Sequence, residues 1–471
     1  MVTSRSIRIS LIAVLLLAAS RVGAQEFPIA VGSDSTFSGG AVYGGGNGIV
    51  GICGDALSQY SITAQIVGPG GTLVGSRIAL GAFGPPPGAV PLFDGTNYFL
   101  VWMDFTGTLR GQLLSTAGTL VGSAFDIATG LNTQRMPTAK LALSDTTVLV
   151  AFLKSDGYLY GQRVGRSGGL VGNQFQISSS LARDFSIAYD GTNFLVAWVI
   201  VIQDTDKDIA GQFVSKTGTL VGSNFVIDNG PNYSDNPTSL AFGGGHYLLA
   251  YHEQQPGASR WTMVGRFIST AGALQDSILI CDTTKSPGFA SAAFDGANFL
   301  VTWSQRSNMS MMGQFYAAAG TAIDTPFTIF GPKPNKIPYG GVGFGGGQYL
   351  AVVTQLDSNM TNGDVYGRFI QPLTGVADRP DPIPGTFALL PNYPNPFNPS
   401  TEIRYQLPVG SEVTLKVFDL LGREVRTLVD QRQSAGTHAV RFEAGNLPSG
   451  VYVCSLAAGN YRETRKILLM K

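Results

Sequence analysis

One unit of sequence is repeated seven times along this chain, and its spacing restricts the possible folds more than any other feature. The best-formed copy runs from Ile187 to Asp228, where Tyr189-Asp190-Gly191-Thr192-Asn193 leads into the apolar run Phe194 to Trp198. The same turn recurs at Phe93 to Asn97 and Phe294 to Asn298, a Ser144 to Thr147 variant at the third unit, and Gly triplets after Tyr43, Phe242 and Phe344. Asp-Gly and Gly-Gly suit the tight turn of a hairpin, because its central residues need positive φ. A second marker follows each time, Ala64-Gln65 in the first unit and Gly-Gln or Gly-Arg in the others, with its second residue at Gln65, Gln112, Gln162, Gln212, Arg266, Gln314 and Arg368. The intervals run from 47 to 54 residues. Six copies continue through a Gly-containing turn into a last strand such as Phe125-Asp126-Ile127.

Four short strands per unit, seven times over, point to an all-β chain built as a seven-bladed β-propeller. The strands are apolar on both alternating faces, with Phe194, Val196 and Trp198 against Leu195 and Ala197. An open sheet with one wet face would alternate instead, so each sheet is expected to lie between two others. A β-solenoid is the competing architecture, with shorter coils and fewer hairpin turns. The seventh unit lacks a fourth strand, while Glu26 to Val31 matches the fourth-strand pattern of Ala124 to Ala128. The N-terminal strand is therefore expected to close the last blade and cover its edge.

Composition agrees: 61 Gly, 13% charged residues and 44% hydrophobic residues suit turn-rich β structure. A net charge of zero with no basic run argues against nucleic acid or an anionic membrane surface as partner. Residues 1–24 read as a signal peptide: Arg5 and Arg8, the apolar run Ile9 to Ala19, then Val22-Gly23-Ala24 before Gln25. No other segment approaches the ~20 apolar residues of a membrane span, so the mature chain is expected to have none. Cys53, Cys281 and Cys454 are too few and too far apart for a disulfide framework, and buried thiols are expected.

The boundaries are residues 25–375 for the propeller, 376–386 for a Pro-rich linker and 387–471 for a smaller C-terminal domain. In that domain charged, alternating strands (Glu402–Gln406, Val413–Phe418, Glu424–Leu428, His438–Phe442, Val451–Leu456, Arg462–Leu469) suggest a small Ig-like β-sandwich.

Comparing the units with one another separates scaffold from variation. Turns between strands one and two, and three and four, barely change in length. Loops between strands two and three, such as Ile200 to Lys207, Glu253 to Trp261 and Gln355 to Gly363, vary widely, as do the connections between units. Both variable sets emerge on one face, the usual layout of a binding surface. At that face Trp102, Trp198 and Trp303 share one slot at the end of the second strand. They are candidate platforms for sugar rings, although Ile52 and Val353 in the same slot favour an inter-blade core. Asp204, Asp206 and Asp208 alternate as Ca²⁺ ligands do, so Ca²⁺ is a candidate cofactor. Ile209 at the sixth position, where a calcium loop needs Gly, favours a solvated acidic loop. His246 and His252 have no matched ligands at metal spacing, and no catalytic residue is singled out.

Two resemblances add to this reading. The repeat units resemble the Asp-Gly-Thr-Asn-Tyr/Phe-Leu-Val-x-Trp … Asp-Ile-x-Gly-Gln units found in tandem in bacterial extracellular proteins. Tyr393-Pro-Asn-Pro-Phe-Asn-Pro-Ser-Thr401, Val417 to Val425, Leu447-Pro-Ser-Gly-Val-Tyr452 and Lys466 to Lys471 resemble the C-terminal sorting domain of type IX secretion cargo. That resemblance implies export through the inner membrane, then recognition at the outer membrane by the type IX machinery, and a cell-surface or extracellular location. By matching position it implies that Gly450, Tyr452, Lys466 and Lys471 belong to the sorting signal. The expected function is binding or adhesion at the cell surface, to a glycan or protein held by the variable-loop face. An extracellular propeller enzyme, a glycoside hydrolase or lyase acting on polysaccharide, is the alternative.

Overall fold

In the computed structural model the described residues are 25–471, apart from 32–35, 56–59, 83–87, 132–138, 204–205, 230–232, 255–260, 335, 358–362, 374–386, 391, 393–394, 409–410, 434–435, 446, 460 and 471. The chain divides into two compact units, Met1–Thr374 and Gly375–Lys471.

Unit one consists of seven four-stranded antiparallel sheets. Each of the first six is a simple meander. In blade four, for instance, Ala182–Tyr189, Asn193–Gln203, Asp206–Ser215 and Leu220–Asp228 pair in sequence order. The first strand of every blade neighbours the first strand of the next, and Lys336–Gly345 of blade seven returns to Thr36–Gly44 of blade one. That circuit makes the seven sheets a closed propeller with the first strands innermost. Blade seven takes its outer strand from the N-terminal side, because Phe27–Ala30 pairs antiparallel with Gly363–Ile370. The closing strand expected from the seventh unit's missing element is therefore in place.

The repeat signature has a physical cause at each position. In the Asp-Gly-Thr-Asn turns and their Asp-Gly-Ala-Asn variant, Asp94, Asp190 and Asp295 each accept from the two backbone N–H groups at i+2 and i+3, at 2.6–2.8 Å. The Gly after each Asp has φ between +95° and +98°, which a side chain would strain. The Gly of the Gly-Gln marker lies beneath the outer strand's aromatic ring. A Cβ on Gly211 would sit 2.9 Å from both Phe225 and Ile227. The Gln closes a kink in the outer strand, where register slips between Gly211 and Phe213. Gln212 Nε2 donates to the carbonyls of Phe213 (2.9 Å), Val221 (3.0 Å) and Gly222 (3.3 Å), and Gln65, Gln112 and Gln162 do the same in their own blades.

Neighbouring blades are joined by polar bonds as well as apolar cores. Gln174, Asn224, Arg266 and Arg368 each donate to the carbonyl of an Ile in, or just after, the outer strand of the preceding blade: Ile127, Ile177, Ile227 and Ile329. On the inner ring, Ser186, Ser239 and Ser291 hydroxyls accept N–H bonds from Leu240, Ala292 and Val342 of the following blade. The second strands are buried on both faces, as their unbroken apolar runs require: every residue of Phe194 to Val199 is buried.

Two segments read as loops are strand in part. Ile200 to Lys207 extends the central hairpin of blade four, with Ile200 opposite Asp208 and Val201 opposite Lys207. Among the variable connections between units, the one from Asn229 to Pro237 is already inner strand from Tyr233 onward. β-branched Val199, Ile200 and Val201 prolong the pairing beyond the length shared by the other units. All three cysteines are buried and outside any disulfide, as expected of apolar thiols.

Unit two is a two-sheet β-sandwich. Ala388–Leu389, Ser400–Leu407 and Gly436–Glu443 form one sheet, and Glu424–Gln433, Ser411–Phe418, Gly450–Ala458 and Tyr461–Leu469 the other. Val413, Leu415 and Val417 alternate with solvent-facing residues and meet Tyr452, Cys454 and Leu456 in a single core. This is the one-sided alternation that each propeller blade lacks.

Candidate functional site

Each inner strand begins on the face where the length-variable loops emerge, so the first residues of these strands ring the mouth of the propeller. β-Bulges there change which side chains the strands present. In blade four Arg183 pairs with Val199 and Phe185 with Trp198, leaving Asp184 as the extra residue. In blade six Pro287 pairs with Gln305 and Ala290 with Trp303, leaving Gly288 and Phe289 opposite Ser304. Bulges re-aim side chains in this way and are frequent beside functional sites.

Two chemically different sectors result. Blades three and four contribute Lys140, Arg183 and Asp184, with Arg183 Nε 3.6 Å from Asp184 Oδ2. Burial pushes the Lys140 amine below its ordinary pKa, and the Asp184 carboxylate opposes that shift. Blades six and seven contribute Phe289 and Tyr339, at equivalent positions on adjacent inner strands. Their ring centroids are 5.1 Å apart at an interplanar angle of 47°, and Phe289 remains 43% exposed. Arg306 Nη2 lies 3.5 Å from the Tyr339 hydroxyl, and among the described residues Arg306 forms no ion pair. The only two non-glycine residues with positive φ among those described, Ser286 (50°) and Met309 (53°), sit in the two loops flanking Phe289 and Arg306. Those loops are tied together by Arg306 N–H donating to the Ser286 carbonyl at 3.0 Å. Backbone strain of this kind persists only where the surroundings hold it, and it concentrates at binding and catalytic sites.

The tryptophans singled out from sequence lie elsewhere. Trp102, Trp198 and Trp303 are 2%, 0% and 1% exposed. Each fills the core between its own blade and the preceding one, so none presents a ring face to a ligand. The cause is strand parity: Trp198 shares a side of its strand with Phe194 and Val196, which already point into the adjacent blade. The fourth tryptophan, Trp261, is half-buried in the loop region of blade five. Its ring centre is 6.3 Å from that of His252, whose Nε2 bonds the carbonyl of Gly288 at 3.0 Å, next to Phe289. Trp261 and Phe289 escaped sequence reasoning because one lies outside the repeated slot and the other in a bulge that breaks the two-residue period.

The acidic run is also placed differently from the wrapping loop it suggested. Asp204 lies outside the described residues, while Asp206 and Asp208 belong to a strand, opposite Gln203 and Ile200. Among the described residues no group of three or more His, Cys, Asp or Glu is arranged to hold a metal.

In the sandwich, Gly450 opens its strand opposite Leu469, and Lys466 is exposed opposite Val453. Lys471 lies outside the described residues. Tyr452 is core, with its hydroxyl donating to the Pro448 carbonyl at 2.8 Å, so it anchors the Leu447-Pro-Ser-Gly turn. The Asn-Pro-Phe-Asn segment holds the final strand from outside: Asn395 Oδ1 accepts from Leu468 N–H, and Phe397 exchanges backbone bonds with Leu468 and Met470. Motifs far apart in sequence thus converge on the last strand.

Residues 392–470 match the family described as "Secretion system C-terminal sorting domain". The C-terminal unit is thus similar to that family over residues 392–470, and a sorting domain of this kind implies export by the type IX secretion machinery. No curated protein matches the chain. Among solved structures, an acylaminoacyl peptidase of Pyrococcus horikoshii aligns at 11% identity and TM-score 0.45, over 80% of this chain and 59% of its own. An endo-arabinase of Bacteroides thetaiotaomicron aligns at 13% identity and TM-score 0.33, over 52% of this chain and 93% of its own. An uncharacterized Listeria monocytogenes protein aligns at 11% identity and TM-score 0.39, over 74% of this chain and 99% of its own. The chain therefore spans 59% of the length of the peptidase. No helix among the described residues is long and apolar enough to cross a membrane.

Proposed function

We propose that this is an exported binding protein of the cell surface, whose propeller captures an extracellular glycan at the mouth of its ring. Residues 1–24 direct it through the inner membrane, and the sorting domain, with Gly450, Tyr452, Lys466 and Lys471 in its signal, carries it through the outer one. The observation that supports ligand capture most directly is the group of Phe289, Tyr339 and Arg306 at the mouth. A half-exposed aromatic ring suits the apolar C–H face of a sugar, and a guanidinium with no anionic partner among the described residues supplies directed donors to its oxygens.

Two experiments test this reading. The secreted chain is screened against immobilised glycans and matrix proteins, with release of hydrolysis products followed in parallel. Binding to a glycan that Phe289→Ala and Arg306→Ala each weaken by about tenfold, the factor equivalent to 1.4 kcal/mol, supports it. Product release sinks it in favour of an enzyme, and binding that both variants retain moves the site elsewhere. For export, removal of residues 450–471 traps the chain in the periplasm; normal surface display refutes the sorting role.

A further inference from the structure

The sandwich carries a feature that its folding does not require. The hairpin joining Ser411–Phe418 to Glu424–Gln433 turns through Asp419-Leu420-Leu421-Gly422-Arg423. Leu420 is 69% exposed and Leu421 78%, the highest exposures of any large apolar residues described.

The turn itself is rigid. Asp419 N–H donates to the Arg423 carbonyl and Gly422 N–H to the Asp419 carbonyl, each at 3.0 Å. Asp419 Oδ1 accepts from Leu421 N–H and Arg423 N–H at 2.9 Å, and Oδ2 pairs with Arg423 Nε at 2.8 Å. These bonds hold the Asp419 carboxyl below its ordinary pKa, and Gly422 takes φ +78°. Lys416 and Glu424 beside it pair with each other at 2.8 Å. The tip is thus preorganised and apolar, and the nearest charges are matched in pairs.

The same turn occurs repeatedly in the propeller. Ser115, Gly165, Ser215, Ser269 and Ala317 each donate N–H to the carbonyl four residues on and end at a positive-φ Gly. Their two tip residues are Thr-Ala, Arg-Ser, Lys-Thr, Thr-Ala and Ala-Ala. The geometry therefore makes no demand for large apolar side chains at the tip, and only the turn in the sorting domain carries two. Contiguous exposed apolar side chains mark interaction sites.

We infer that the Leu420-Leu421 tip is the docking element by which the sorting domain enters an apolar pocket of the secretion machinery. This inference rests on the sorting role proposed above. The partner follows from the domain that carries the tip: residues 392–470 match a family described as a secretion sorting domain, and the tip lies inside them. Because the turn is fixed in advance, docking costs little ordering. Since its charges are already paired, the contact is driven by burial of the leucines and is insensitive to salt.

The test places Leu420→Ser/Leu421→Ser and Leu420→Met/Leu421→Met in the full chain, in the native host, beside the truncation lacking residues 450–471. Surface display is measured together with the periplasmic pool, and the melting temperature of each purified full-length chain reports folding. The expected result is a fall in display of about tenfold or more for the serine variant, with unchanged melting and display retained by the methionine variant. If the serine variant is displayed normally while the truncation is trapped, the docking inference is overturned and the sorting role stands. If the truncation is also displayed normally, the sorting role itself fails. A fall in display matched by a lowered melting temperature overturns the inference too, because the leucines would then be structural. Normal display with loss of a concentration-dependent dimer assigns the tip to self-association instead.

Discussion

Phe27 stands opposite Gly367 in the ladder that closes the ring, and the absence of a side chain at Gly367 is what lets the phenyl ring lie flat there. A Cβ on Gly367 would approach the Phe27 ring to 2.5 Å. The ring also meets Phe369 at a centroid distance of 5.6 Å, so one aromatic residue fastens the two ends of the propeller. Phe27→Ala is expected to destabilise the ring by about 3–5 kcal/mol, the usual effect of emptying an aromatic core site. Urea unfolding of the full chain measures it. A loss under about 1 kcal/mol would mean that the closing strand is dispensable.

The kink in the outer strands provides a second prediction. Gln212 is fully buried, and its amide serves three carbonyls that no other side chain reaches in the hydrogen-bond pattern of that blade. Gln212→Leu keeps the bulk and removes the donor, so the Phe213 carbonyl loses its buried side-chain partner and the outer-strand kink at Val221 and Gly222 loses its clamp. The expected cost is about 1–3 kcal/mol, read as a lowered thermal midpoint. Gln112→Leu, in a separate blade, should add to it nearly independently.

The buried tyrosines set an alkaline limit. Tyr98, Tyr247, Tyr251 and Tyr316 are pushed well above the ordinary phenol pKa, in each case chiefly by burial. A folded-state pKa above the unfolded value of about 10 means that their contribution is complete below pH 10 and is lost as pH rises beyond it. Above pH 10 stability should therefore fall by about 1.4 kcal/mol per pH unit for each tyrosine involved, adding to a shallower decline that the buried Cys281 and Cys454 thiols begin near pH 9. Absorbance of tyrosinate near the unfolding pH, coincident with loss of β circular dichroism, checks this. Ionisation of these residues in a still-folded chain would contradict it.

The thiols give a fourth. Burial pushes Cys281 and Cys454 up to about 12, and all three cysteines are enclosed. The native chain at pH 8 should not react with an aromatic disulfide reagent, whereas the denatured chain should release three equivalents. Rapid labelling of the native chain would show that at least one blade interface opens.

Much of the scaffold was legible because seven copies of one unit report the same physics. Asp190 at the turn, Gly211 beneath Phe225 and Gln212 at the kink recur because the blade needs them, and the unmatched Glu26 to Val31 revealed its place through what the seventh unit lacked. The site was less legible for the same reason. Trp198 drew attention by recurring, yet recurrence marked it as packing. Phe289 and Trp261 occur in one unit each, and the bulge that exposes Phe289 depends on pairing between strands, which a single strand's sequence does not display. Ile200 to Lys207 misled in the opposite direction, since variable length suggested a loop where the chain simply pairs for longer.

The borrowed strand of blade seven also fixes an order of events. Phe27–Ala30 is synthesised before any blade exists, and its partner Gly363–Ile370 is made after all the others. Contacts so distant in sequence form late and slowly. Until they do, blade seven displays the bare edge of Gly363–Ile370, and a neighbouring chain's own Phe27–Ala30 fits that edge equally well. Crowding of newly made chains should therefore yield strand-exchanged pairs, each ring latched by the other's first strand.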